Sequence, residues 1–167
     1  MTSQFDSEKA LEVLLYIAAR VSDVYTALKV LYFADMKHLA KYGRQISGDS
    51  YIAMALGPVP SESYDIVKIA RGEDWHSLSI PVVPSLSADR TTLRGLRAAD
   101  MDYLSESDVE CLDEAIQEYA SLSFSELLSL SHKDVAYERA DRNGVIPIED
   151  IVAGLPERDA LLAYLRS

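Results

Sequence analysis

The sequence predicts a mainly α fold of the α+β class, a compact helical domain with a small β element of two or three strands. Three observations lead there. Apolar residues recur at three- and four-residue steps through several stretches of helical length, most of them opened by a Ser or an Asp. One short apolar run, Tyr51-Ile52-Ala53-Met54-Ala55, stands between turn residues, as a strand does. The composition, 49% hydrophobic and 26% charged over 167 residues, suits a globular domain that buries its own core. With no repeat, low-complexity tract or linker, residues 1–167 are expected to form one domain.

Met1 to Asp6 is a short polar start. Ser7 is expected to cap a helix with Ala10, Leu14, Ile17 and Val21 on one face and Leu11 and Ala18 beside them. Ser22-Asp23 interrupts that pattern and caps the next helix. From Val24, the residues Leu28, Leu31, Tyr32 and Leu39 make one buried stripe. The short link predicts that the two helices pack as antiparallel neighbours or at a steep angle. Asp35 falls in the stripe, four residues from both Leu31 and Leu39. An unpaired carboxylate there is costly, so Asp35 needs a hydrogen-bonding or cationic partner, or an interface. His38, three residues on, is the candidate partner. Gly43 is placed to end the helix in the left-handed conformation.

Arg44 to Asp49 reads as a polar connector, and Tyr51 to Ala55 as a strand buried on both faces. Gly57-Pro58-Val59-Pro60 cannot be helical, because two prolines hold it extended. It is expected to form a stiff corner, with Ser61 capping a helix from Glu62 to Arg71 that carries Tyr64, Val67 and Ile69. A rigid corner lowers the ordering cost of recognition. Beyond the turn at Gly72-Glu73-Asp74, Trp75 is either a core anchor or an interface anchor. Ile80 to Pro84 suits only an edge strand. Arg90 to Leu96 has better strand character, and Ser85 to Asp89 reads as the polar tip between them. Both segments are expected to join Tyr51 to Ala55 in one small sheet.

Ser105 and Asp108 form a capping-box pattern ahead of Val109, Leu112, Ile116 and Tyr119; Ser123 and Glu126 form a second, ahead of Phe124, Leu127 and Leu128. His132 and Lys133 at the end of that second helix complement its dipole. Asn143-Gly144 signals a turn. Pro147 suits the first turn of a brief helix through Ile151-Val152, ended by Gly154, and Pro156 a last helix with Leu161, Tyr164 and Leu165.

Several function classes are excluded on composition. A net charge of −11 opposes direct nucleic-acid binding, which needs a basic surface. The single cysteine, Cys111, rules out an internal disulfide framework or a cysteine zinc cluster and is expected to be buried. There is no run long enough to span a bilayer and no signal-peptide pattern, so a cytoplasmic protein with no membrane partner is expected. No nucleophile elbow, phosphate loop, dinucleotide fingerprint or His-Glu-x-x-His motif is present. The enzymatic alternative is a metal-dependent or hydrolytic site on Asp35 and His38, completed by His76 or His132.

The run Leu31-Tyr32-Phe33-Ala34-Asp35, with His38 and Tyr42-Gly43, then Tyr51-Ile52-Ala53 and Gly57-Pro58-Val59-Pro60, resembles the Panacea domain of SocA-like antitoxins and phage-associated proteins. Leu130-Ser131-His132 resembles an element near the end of that domain. The resemblance is strong over residues 24–70 and weak over 100–140. It implies a small, mostly helical, non-enzymatic protein with no cofactor, which neutralises a protein toxin encoded next to it. In the adaptor branch it also delivers the toxin to a protease. The residues placed at the partner surface are Tyr32, Asp35, His38, Tyr42, Gly57, Pro58, Val59 and Tyr64; no catalytic or metal-binding residue is assigned.

Overall fold

The structure, a computed structural model, describes residues 4–73, 80–132 and 143–153. Expectations for Trp75, His76, Lys133 and the helix after Pro156, and for the side chain of His132, lie outside the described residues.

Helix α1 (Ser7–Ala18) is capped by Asp6, whose carboxylate accepts from the Lys9 amide at 3.0 Å. Ser7 is therefore the first helical residue and not the cap: Asp6 has the extended backbone a cap needs. The helix is buried all round from Ala10 to Ile17, beyond the single face expected, so it runs through the core. Even Glu12 is enclosed; Arg97 grips both its carboxylate oxygens at 2.7 Å. The Arg97 guanidinium, bonded to both oxygens, holds the Glu12 carboxyl below its ordinary value.

Helix α2 (Val24–Tyr42) starts and stops where the sequence says. Asp23 accepts from the Thr26 amide at 2.9 Å, and Gly43 closes the helix at φ 74°. It packs more extensively on α4 (Glu106–Tyr119) than on α1, and Phe33 stacks on Tyr119 with ring centroids 4.0 Å apart. Strand β1 (Tyr51–Met54) alternates buried and half-buried, so it has one core face, not two.

The Gly-Pro-Val-Pro stretch is strand β2 (Gly57–Pro60), not a corner. It pairs antiparallel with β1 through a two-residue turn at Ala55-Leu56. Pro58 faces Ala53 and Pro60 faces Tyr51. The bonded positions of this ladder are the alternate pairs, since the Ser61 amide donates to the Ser50 carbonyl at 2.8 Å. Both prolines therefore occupy positions where no ladder donor is needed, which is how an edge strand tolerates them.

Helix α3 (Ser61–Ala70) follows directly, and Ser61 is its first residue instead of its cap. Two short strands, β3 (Leu86–Ala88) and β4 (Leu93–Gly95), form a separate hairpin. The segment 80–84 is not a strand, and Ser85 to Asp89 contains β3 where a tip was expected. Both capping boxes form, at Ser105/Asp108 for α4 and at Ser123/Glu126 for α5 (Phe124–His132). Strand β5 (Val145–Ile146), beyond the turn at Asn143 (φ 63°), pairs with β1, and α6 (Ile148–Ala153) ends the described chain. The sheet order is β2-β1-β5, so the partners of β1 are not the strands expected for it. Two residues without alternation gave no strand signal.

The main core joins α1, α2, α3 and α4 with Leu86 and Leu93 of the second hairpin. Cys111 is buried in it, and burial pushes its thiol up to about 11. A smaller cluster of Tyr32, Leu39, Tyr51, Ala53, Ile146 and Ile151 binds the three-stranded sheet to α2. Among the described residues, no helix is long and apolar enough to cross a membrane.

Candidate functional site

The carboxylate and the imidazole singled out on α2, Asp35 and His38, lie in an enclosed polar knot under its C-terminal half. Asp35 is 1% exposed. Its carboxylate accepts from the Ile46 amide at 2.9 Å and from the Tyr51 hydroxyl. Burial raises its pKa to about 7, against the lowering pull of those two bonds. The expected pairing with His38 is not made. His38 instead sets Nδ1 2.7 Å from the Arg44 carbonyl and Nε2 2.9 Å from the Ser107 hydroxyl. A carbonyl only accepts, so Nδ1 carries the proton and the neutral ring accepts at Nε2. Burial lowers the His38 pKa, which agrees with a neutral ring.

Asp108 closes this knot, with Lys9 Nζ at 2.7 Å and Arg44 Nη2 at 3.3 Å. Burial pushes its carboxyl up, but Lys9 and the Ser105 amide outweigh burial and hold it below its ordinary value. Asp49 does the same service for α3. It accepts from the amides of Glu62 (2.8 Å) and Ser63 (2.9 Å) and from the Ser63 hydroxyl (2.6 Å), a cap reached from 13 and 14 residues upstream. Burial raises the Asp49 pKa to about 6.

These groups tie the 44–50 connector to α2, α3 and α4. Among the described residues, no three His, Cys, Asp or Glu side chains are grouped to hold a metal ion. Both nitrogens of His38 already have partners.

The remaining expected residues divide by exposure. Tyr32, Gly57 and Pro58 are buried with Asp35 and His38, so these five residues offer a docking partner little surface. Tyr32 packs edge-on to Phe33 and Tyr51. Tyr42 is exposed on the α2–α4 face, where its hydroxyl donates to Glu110. Val59 and Tyr64 are half-buried and line an open groove of about 420 Å³ at the other end of α2.

That groove runs between the first turns of α2, the β1–β2 turn, Arg71 at the end of α3 and the 90–91 loop. Its walls are mostly apolar: Leu28, Met54, Leu56 and Val59, with the rings of Tyr25 and Tyr64. Leu56 is 47% exposed. Beside it the exposed Phe124 ring lies 4.6 Å from that of Tyr25, whose hydroxyl donates to the Leu56 carbonyl at 3.0 Å. Lys29 is buried in the same wall and donates to the Pro58 carbonyl at 2.7 Å. Burial lowers its pKa to about 7. Gly57 is required here. Its φ is 104°, and a Cβ would fall 2.5 Å from Ser131 Oγ and 2.8 Å from Lys29 Nζ.

Sequence reasoning missed Lys29, Tyr25, Leu56, Arg71 and Arg90. One signal was available: Lys29 interrupts the apolar run from Ala27 to Phe33, and a cation inside such a run needs a local acceptor. The others acquire meaning only when the β1–β2 turn, α3 and the 90–91 loop meet.

The family model described as "Antitoxin SocA-like, Panacea domain" matches residues 28–136. The match takes in nearly all of α2, the β1–β2 hairpin, α3, α4 and α5. No curated protein and no solved structure matches the chain.

Proposed function

The chain belongs to the antitoxin SocA-like, Panacea domain family, and from that membership we propose that it neutralises a protein toxin, encoded next to it, by direct stoichiometric binding. The family match over residues 28–136 is the observation that carries this reading. Neutralisation occurs in the cytoplasm by occlusion, with no covalent change to the toxin, no cofactor and no nucleic acid contact by this chain. The residues expected at the partner surface then have two roles. Val59, Tyr64 and Tyr42 have surface with which to touch the toxin. Tyr32, Asp35, His38, Gly57 and Pro58 act from inside, by fixing the hairpin and α2 in the shape that is presented.

The polar groups support a binding protein over an enzyme. A catalytic carboxylate or imidazole needs an approach for substrate, whereas Asp35 and His38 are enclosed and spend their bonds on the 44–46 backbone, Tyr51 and Ser107.

The test is to express the neighbouring reading frame alone and together with this chain. The expected outcome is growth arrest by the neighbour alone, rescue on co-expression, and copurification at equal stoichiometry. A harmless neighbour that does not bind defeats the reading. Rescue that depends on a host protease and lowers the neighbour's level replaces occlusion with delivery to that protease.

A further inference from the structure

Resting on the antitoxin reading above, we infer that the groove between α2 and the β1–β2 turn takes an apolar segment of the toxin bearing a carboxylate, with Arg90 as the partner of that carboxylate. Charge reverses locally at the groove. The chain has 27 acidic and 16 basic residues, yet the groove brings together Lys29, Arg71 and Arg90 against one acid, Asp23. Asp23 is already committed: its carboxylate accepts from the amide and the hydroxyl of Thr26, both at 2.9 Å.

The two arginines are held differently. Arg71 donates to the carbonyls of Asp89 (2.8 Å) and Arg90 (2.9 Å). The Asp89 carboxylate accepts from the amides of Thr91 and Thr92, and the Thr91 carbonyl accepts from the Val24 amide at 2.8 Å. The loop is thus fastened at both ends and in its middle. Arg71 is spent as a positioning residue. Arg90 stands exposed on this rigid loop at the groove rim, and its side chain has no hydrogen bond or ion pair to the described residues. A pre-positioned cation beside an apolar wall loses little on binding an acid.

The wall itself calls for an apolar group. Leu56 and Phe124, exposed on either side of Tyr25, extend the apolar surface beyond the groove. An acidic ligand without an apolar side chain leaves this wall wet; an apolar ligand without an acid leaves Arg90 unpaired. A segment carrying both satisfies the site, with an aliphatic or aromatic anchor of the kind that dominates interface energy.

The experiment uses the full chain and the neighbouring toxin. Arg90→Glu and Leu56→Asp are each expected to weaken toxin binding about tenfold or more, with an unchanged melting temperature. Arg90→Lys keeps the charge and adds an amine, so a zero-length carbodiimide couples it to an Asp or Glu of the toxin, located by mass spectrometry.

Failure of the wild-type chain to bind the toxin defeats the antitoxin reading itself. Wild-type binding that survives both groove substitutions, or coupling that finds no toxin carboxylate, overturns the groove inference and leaves the antitoxin reading standing. Self-association of the free chain abolished by Leu56→Asp overturns it also, because the occupant is then a second copy.

Discussion

Helix α2 passes through two neighbourhoods of opposite character. Around its C-terminal half, Asp35, His38, Asp49 and Asp108 are enclosed, and their bonds run to backbone and side chains of the same chain. Around its N-terminal half, Tyr25, Leu28 and Lys29 form a wall open to solvent, next to an edge strand and a rigid cationic loop. The polar half holds the fold and the apolar half presents a surface. Polar side chains attract attention in a sequence as chemistry, but enclosed and satisfied ones mainly specify structure. Exposed apolar groups with an unpaired charge beside them are the better sign of a partner.

The sharpest way to break this contrast is Asp35→Ala. It strands the Tyr51 hydroxyl and the Ile46 amide in a dry interior and should destabilise the fold by about 3 kcal/mol, read by urea denaturation. A loss of toxin binding with unchanged stability would instead put Asp35 in the interface.

Gly57→Ala tests where the two halves meet. The added Cβ collides with Ser131 and Lys29 at a φ that favours glycine, for a destabilisation of about 2 kcal/mol. A neutral result in the same denaturation measurement would mean that α5 is not held against β2 as described.

The pH dependence separates the halves with a smaller effect. Asp35 at about 7 and Asp49 at about 6 both lie above the ordinary 3.8. Between about pH 4 and 7 the folded chain therefore holds more protons than the unfolded one at these two sites, and stability falls as pH rises. His38, held low, opposes this with one proton as pH approaches its ordinary 6.5. Lys29, at about 7 against an ordinary 10.5, has the opposite sign to the carboxylates. Above about pH 7 the unfolded chain holds the extra proton, and stability rises with pH. A stability minimum near neutrality is expected from denaturation midpoints. Asp35→Asn should flatten the acid side and Lys29→Met the alkaline side; a slope that neither substitution alters would show that other groups control it.

The legible parts of the fold were those written by local rules. Asp23 and Gly43 bound α2, and the two capping boxes begin α4 and α5, because each is a bond between residues no more than four apart. The need for a partner at Asp35 was also legible, since a carboxylate in an apolar stripe is costly wherever it lies. Its identity was not. Three residues on a helix put His38 within reach, but Ile46 and Tyr51 outcompete it from the following connector and strand.

The same limit explains the other departures. Ser61 looked like a cap because serine is a good local one, yet Asp49 reaches the same amides from across a chain reversal. Gly57-Pro58-Val59-Pro60 was legible as extended, since proline fixes φ; that it is a strand depended on β1 lying beside it. Most of the groove belongs to the second kind. Tyr25, Leu56, Arg71 and Arg90 are unremarkable in the sequence, separated by up to 65 positions, and only the packed chain makes them neighbours. By itself the sequence determined helix ends, extended segments and the resemblance to an antitoxin family, because those depend on short-range bonds and on the order of residues. Which polar groups are sealed inside and which surface is left for a partner was decided by tertiary packing, because burial is a property of the assembled chain and not of any one stretch.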